Sequence, residues 1–99
     1  MGKYWVLDAG RKPVRAELQE WGRYFESNDR IVAKTGISIG SVTVSTVFLG
    51  IDHGNGKGPP LLFETMIFGG KHDGWQDRCS TWDEAVAMHQ RAVDLAQRD

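Results

Sequence analysis

Residues 30–51 read RIVAKTGISIGSVTVSTVFLGI, and this stretch decides the fold. Two runs rich in β-branched residues, IVAKTGISI and VTVSTVFLGI, flank Gly40-Ser41, a Gly-X pair suited to a type II′ hairpin turn. Two antiparallel strands are expected. In the second run Val42 and Val44 lie on one face while Val47, Leu49 and Ile51 lie on the other. The apolar phase therefore changes near Ser45-Thr46, which predicts either a bulge there or a strand covered on both faces.

Working outward, HGNGKGPP at residues 53–60 holds three Gly and two Pro and reads as a connection, and LLFETMIF at 61–68 reads as a strand apolar on both faces. A second hairpin with a long glycine-rich tip follows. GGKHDGWQDRCS, residues 69–80, reads as a second long loop. Thr81-Trp82-Asp83-Glu84 is a capping-box pattern, after which Trp82, Val86, His89, Val93 and Ala96 mark one helical face. Upstream, Tyr4 to Leu7 forms a short strand broken at Asp8-Ala9-Gly10. Pro13 suits a first helical turn, and Val14, Leu18, Trp21 and Phe25 recur at helical spacing, predicting a helix over about 14–26. The expected fold is α+β: one domain over 1–99, with an antiparallel sheet of three to four strands and an N-terminal-half helix and a long C-terminal helix packed on it.

The chain has 99 residues, 12 Lys+Arg against 13 Asp+Glu, 40% hydrophobic residues and 10% aromatics. That is enough to build one core, and a net charge of −1 argues against a protein held on nucleic acid chiefly by neutralising phosphates. The single cysteine, Cys79, excludes an internal disulfide and a Cys-rich zinc site, and favours a reducing compartment. The longest uncharged stretch, Thr35 to Ile51, is rich in Ser, Thr and Gly and is not a membrane helix. No export signal is read at the N-terminus.

Several loop residues carry chemistry. Asp52-His53 stands where a strand enters the glycine-rich tip, and His72-Asp73 stands in the next loop. If the hairpin closes with Asp52 near Leu61, the two pairs lie at opposite ends of one ladder and cannot share a metal within a protomer. No catalytic residue, metal or cofactor is expected on this reading. Lys57 lies in Gly54-Asn55-Gly56-Lys57-Gly58, which lacks the Ser/Thr and following helix of a phosphate-binding P-loop. Glu64 interrupts an apolar strand and, if buried, calls for a cation inside the fold or across a dimer, or else for a ligand-contacting or general-base role; facing solvent on an open sheet it requires neither. His89 falls on an apolar helical stripe, where a satisfied core histidine is the commoner case. Cys79, beside Arg78 and near a helix start, sits where a thiol pKa is often lowered, yet no base or oxyanion motif accompanies it. Trp75, with no evident core partner, stands near Lys71 and Arg78, a composition that suits either a binding hot spot or a loop anchor.

VSTVFLGIDHGNGKGPPLLFETMIFGG at 44–70 and STWDEAVAMH at 80–89, with YWVLD and Arg30 to Ala33, resemble a family of small bacteriophage and prophage proteins with no assigned reaction. The sequence departs from that pattern at Cys79, where Tyr is expected. The resemblance implies a phage protein acting in the cytoplasm of a bacterial host. By analogy with other small phage proteins, it implies an interaction protein that binds and inhibits or sequesters a host component, such as an anti-CRISPR-like inhibitor of bacterial defence. A nucleotide-signal sponge using Trp75, Arg78, His53 and Lys57, a small metal-assisted hydrolase using Asp52, His53, Glu64 or His72, and a virion assembly accessory are the alternatives. The candidate contact residues are Asp52, His53, Lys57, Lys71, His72, Trp75 and Arg78, and the partner is a host protein or a small nucleotide. Self-association as a dimer or higher oligomer is expected, because strand 61–68 is apolar on both faces.

Overall fold

A computed structural model of the chain describes residues 3–37 and 41–98. The element order is β1 (Tyr4–Leu7), β2 (Pro13–Ala16), α1 (Leu18–Ser27), β3 (Ile31–Ile37), β4 (Val42–Phe48), β5 (Phe63–Phe68), β6 (Gln76–Cys79) and α2 (Trp82–Ala96). The fold is α+β, with two helices packed on antiparallel sheets: β3-β4-β5-β6 form one of four strands, and β1-β2 form a ribbon of two. Among the described residues no helix is long and apolar enough to cross a membrane.

The β3–β4 and β4–β5 hairpins form as the sequence predicts. Gly40 of the predicted turn lies outside the described residues, while Ser41 adopts φ +53°. The expected change of phase at Ser45-Thr46 does not occur. Val42, Val44, Thr46 and Phe48 all point inward in strict alternation, and the β4–β5 register runs unbroken from Thr43↔Phe68 to Phe48↔Phe63. The inward slot at 46 is filled by a threonine whose hydroxyl is hydrogen-bonded, so a polar residue continues the apolar face. The irregularity lies instead in β3, between Ile31 and Ala33.

Two other expectations are corrected. Pro13 to Ala16 is a strand, not the first turn of a helix: Val14 pairs with Val6 and Ala16 with Tyr4. Pro13, which has no N–H to donate, takes the end of a ribbon strand. The helix begins at Leu18, which is 56% exposed, so the inward helical positions are Trp21, Tyr24 and Phe25. Likewise, the 69–80 loop contains β6, which pairs with β5 from Phe63↔Cys79 to Met66↔Gln76. Its alternation is hidden because Gln76, Asp77 and Arg78 leave no apolar pattern to read.

Helix α2 starts as the sequence predicts. Thr81 Oγ1 accepts the Glu84 N–H, and the Glu84 carboxylate accepts the Thr81 N–H, which completes the capping box. Its buried face is Ala85, Met88, His89, Ala92 and Val93, whereas Val86, expected inward, is 50% exposed. This face lies on Val42, Val44 and Ile67 at one end of the sheet and on Phe48, Leu62 and Phe63 at the other. Each large apolar side chain removed from water there contributes about 1.5–3 kcal/mol.

The second end is extended by aromatics. Phe25 stacks on Phe48 at 5.9 Å, Phe48 meets Phe63 at 5.2 Å, and Phe63 meets Trp82 edge-on at 6.2 Å. The ribbon joins the main sheet through a Tyr4↔Ile51 bridge and a Trp5 N–H to Gly50 carbonyl hydrogen bond of 2.9 Å.

Candidate binding surface

The residues singled out in the sequence are mostly engaged in shaping loops. Asp52 Oδ1 accepts the N–H groups of Gly54 at 2.7 Å and Leu61 at 2.9 Å, and the His53 N–H reaches the Leu61 carbonyl at 3.0 Å. Asp52 therefore cinches the base of the 53–60 loop, as its pairing with Leu61 predicts. His53 is exposed, and its ring Nδ1 donates to the Ile51 carbonyl at 2.8 Å. Lys57 is exposed at the tip, where its N–H meets Asn55 Oδ1.

At the other end of the ladder, Asp73 Oδ1 accepts the Gly69 N–H at 2.6 Å and closes the turn that carries Lys71 and His72. The whole β4–β5 ladder of six paired positions lies between the two groups, and the ladder alone spans about 17 Å at ~3.3 Å per residue. The chain thus does not bring Asp52 and His53 together with His72. Among the described residues no group of three or more His, Cys, Asp or Glu is placed to hold a metal ion.

Trp75 has the core partners its sequence context conceals. It packs on the cluster of Val42, Val44, Ile67, Ala92 and Val93, and its carbonyl accepts the Ile67 N–H at 3.0 Å. Arg78 lies on β6 opposite Glu64, and its Nε donates to Glu64 Oε2 at 2.9 Å. The carboxylate that interrupts strand 61–68 is thus paired within the fold.

Burial pushes the Cys79 thiol up to about 11, reinforced by the Glu84 carboxylate. This reverses the lowering that its place beside Arg78 and a helix start suggests. Glu84, committed to the capping box, keeps its negative charge at that helix start.

One constellation is marked in the sequence only at His89, which proves to be the satisfied core histidine its helical stripe suggests. His89 is buried, with Nδ1 at 2.7 Å from Thr46 Oγ1 and Nε2 at 2.8 Å from Thr35 Oγ1, and Thr46 in turn bonds Thr65. These four side chains from β3, β4, β5 and α2 form a continuous donor and acceptor chain. A neutral imidazole donates at one nitrogen and accepts at the other, which suits hydroxyls on both sides. Burial holds the ring below its ordinary pKa. The network is internal and serves the fold.

The surface with features of a binding site is the sheet face opposite α2. The register places Thr43, Ser45 and Val47 of β4 beside Phe68, Met66 and Glu64 of β5, with Gln76 and Arg78 beyond them on β6. No helix of the described residues covers this face. Phe68 is 49% exposed, and Ile31, paired with Val47 at the face's β3 margin, is 45% exposed. The Glu64–Arg78 pair continues the cross-strand row of Ile31 and Val47, and Met66 and Phe68 follow Glu64 along the same face of β5. Sequence periodicity marks strand 61–68 as apolar on both sides, but the covering of only one side follows from where α2 lands. No protein-family profile, curated protein or solved structure matches the chain.

Proposed function

We propose that this chain is a small phage-encoded interaction protein that binds a protein of the bacterial host in the cytoplasm and inhibits or sequesters it. The observation that carries this reading is the open sheet face: Phe68, Met66, Val47 and Ile31 stand on the side away from α2, beside Glu64 and Arg78. Exposed apolar side chains beside a charged pair on one sheet face have the composition of a protein contact. An anti-CRISPR-like antagonist of defence fits this scheme, as does a dimer or higher oligomer formed through the same face.

Phe68→Asp and Ile31→Asp place charge on the face without touching the buried core. Capture from phage-susceptible bacterial cells with the wild-type chain is expected to retain a bacterial protein in near-stoichiometric amount, and both variants are expected to lose it. A Lys57→Ala variant, altered only at the loop tip, is expected to retain it. A partner held equally by all four proteins would exclude the open face as the contact.

A further inference from the structure

We propose that the hollow between the β1–β2 turn and the first turn of α2 binds a nucleoside phosphate, Arg11 and Lys12 holding the phosphate and the Arg11–Trp82 stack supporting the base. The site lies on the α2 side of the molecule and does not depend on the open sheet face.

Charge is concentrated there. Residues 1–16 carry Lys3, Arg11, Lys12 and Arg15 against Asp8 alone, whereas the rest of the chain carries eight basic against twelve acidic residues. The near-zero net charge of the whole chain hides this separation. Asp8 does not neutralise the turn's cations by pairing with their side chains: its Oδ1 accepts the backbone N–H groups of Gly10 at 2.8 Å and Lys12 at 2.9 Å. Among the described residues the ion pair is Arg78–Glu64, so Arg11 and Lys12, both exposed, face outward without a carboxylate partner.

An aromatic platform stands beside this charge. The Arg11 guanidinium lies 4.7 Å over the Trp82 ring, a cation–π contact that holds the planar cation of an exposed residue beside the hollow. Such a plane accepts a nucleobase by stacking while its N–H fork and the Lys12 ammonium serve a phosphate. Arg11 holds φ +63°, a conformation that favours glycine, although Gly10 stands one position earlier. The turn thus places an arginine where a glycine would be relaxed, and the strain brings its side chain over Trp82.

The hollow has a volume of about 440 Å³ and is lined by Arg11, Lys12, Pro13, Thr81, Trp82 and Asp83. That size suits a single small ligand. The N–H group of Glu84 in the first turn of α2 is engaged by the Thr81 side chain, so phosphate recognition rests on the basic side chains. Asp83 on the rim disfavours a bare multivalent anion and offers an acceptor for a ribose hydroxyl or an exocyclic amine.

Titration of the ¹⁵N-labelled full chain with AMP, ADP, inorganic phosphate and a short oligothymidylate, read at the four tryptophan indole signals, tests the site. AMP and ADP are expected to shift the Trp82 signal and leave Trp75 unmoved, with inorganic phosphate at least 10-fold weaker. Arg11→Gly is expected to keep the fold, since it relieves the turn, and to weaken AMP at least 10-fold; Lys12→Ala is expected to weaken ADP comparably. An equal response to phosphate and AMP would reduce the site to an anion patch and overturn the proposal. A response absent at millimolar nucleotide, centred on another tryptophan, undiminished in both variants, or stronger for the oligothymidylate than for ADP would overturn it as well.

Discussion

Trp21 of α1 donates its indole N–H to the carbonyl of Gly50 at 3.0 Å, and this bond fastens α1 to the end of β4. The same carbonyl accepts the Trp5 N–H, so one glycine joins helix, ribbon and sheet. Gly50 has φ +74°, and a Cβ there would lie 2.6 Å from the Phe25 ring and 2.8 Å from the Trp21 Nε1. Gly50→Ala is therefore expected to destabilise the fold by about 2–4 kcal/mol, combining left-handed strain with a forced separation of α1. Urea denaturation followed by tryptophan fluorescence measures it; a loss below about 1 kcal/mol would mean that α1 is not clamped at this point.

The His89 network predicts a pH dependence. Burial holds the folded imidazole below its ordinary 6.5, so on acidification the unfolded chain takes up this proton first. Its contribution is fully present above pH 6.5 and declines as pH falls below that value, by at most about 1.4 kcal/mol per unit, until the folded ring also protonates. His89→Gln removes the titrating group while keeping hydrogen-bonding atoms. Denaturation midpoints between pH 7.5 and 5.5 are expected to fall for the wild type and to fall less for the variant; parallel curves would remove His89 as the cause.

Glu64 and Arg78 make a partly exposed pair, at 16% and 33% side-chain exposure, on a face open to salt. A double-mutant cycle with Glu64→Gln and Arg78→Gln is expected to give a coupling of about 0.5–1 kcal/mol at low salt, shrinking as salt screens the pair. A coupling well above that range, unaffected by salt, would show the face to be desolvated in the free protein.

Cys79 is expected to be a slow nucleophile. With its pKa raised to about 11, little thiolate exists at neutral pH. Modification by a disulfide reagent at pH 7.5 is expected to be much slower in the folded chain than in urea; equal rates would place the thiol in solvent.

Much of the architecture is legible in sequence where periodicity and local chemistry agree. The β3–β4 and β4–β5 hairpins follow from β-branched runs and glycine punctuation, and α2 follows from a capping box that forms in full. Pro13 to Ala16 is misread because Val14, Leu18, Trp21 and Phe25 match a helical stripe by spacing alone, while the pairing of Val14 with Val6 is a tertiary fact. Strand β6 is hidden by three consecutive polar residues, whose pairing with β5 and whose Arg78–Glu64 contact are tertiary. The site is less legible than the fold. Asp52 and Asp73 stand out as loop carboxylates, and both prove to bind backbone N–H groups that shape their own turns. Thr35, Thr46 and Thr65 give no signal until three strands align them beneath His89.

The central claim, that the open sheet face makes the contact, is tested most directly by photo-crosslinking in bacterial cells. Phe68 and Val86 are both apolar and alike in exposure, at 49% and 50%, but Phe68 stands on the open face and Val86 on the outer side of α2. A benzophenone amino acid at position 68 is expected to yield a discrete crosslink to a bacterial protein or to a second copy of the chain, and the same probe at position 86 is expected to yield none. Crosslinking at 86 alone, or equally at both positions, would contradict the account.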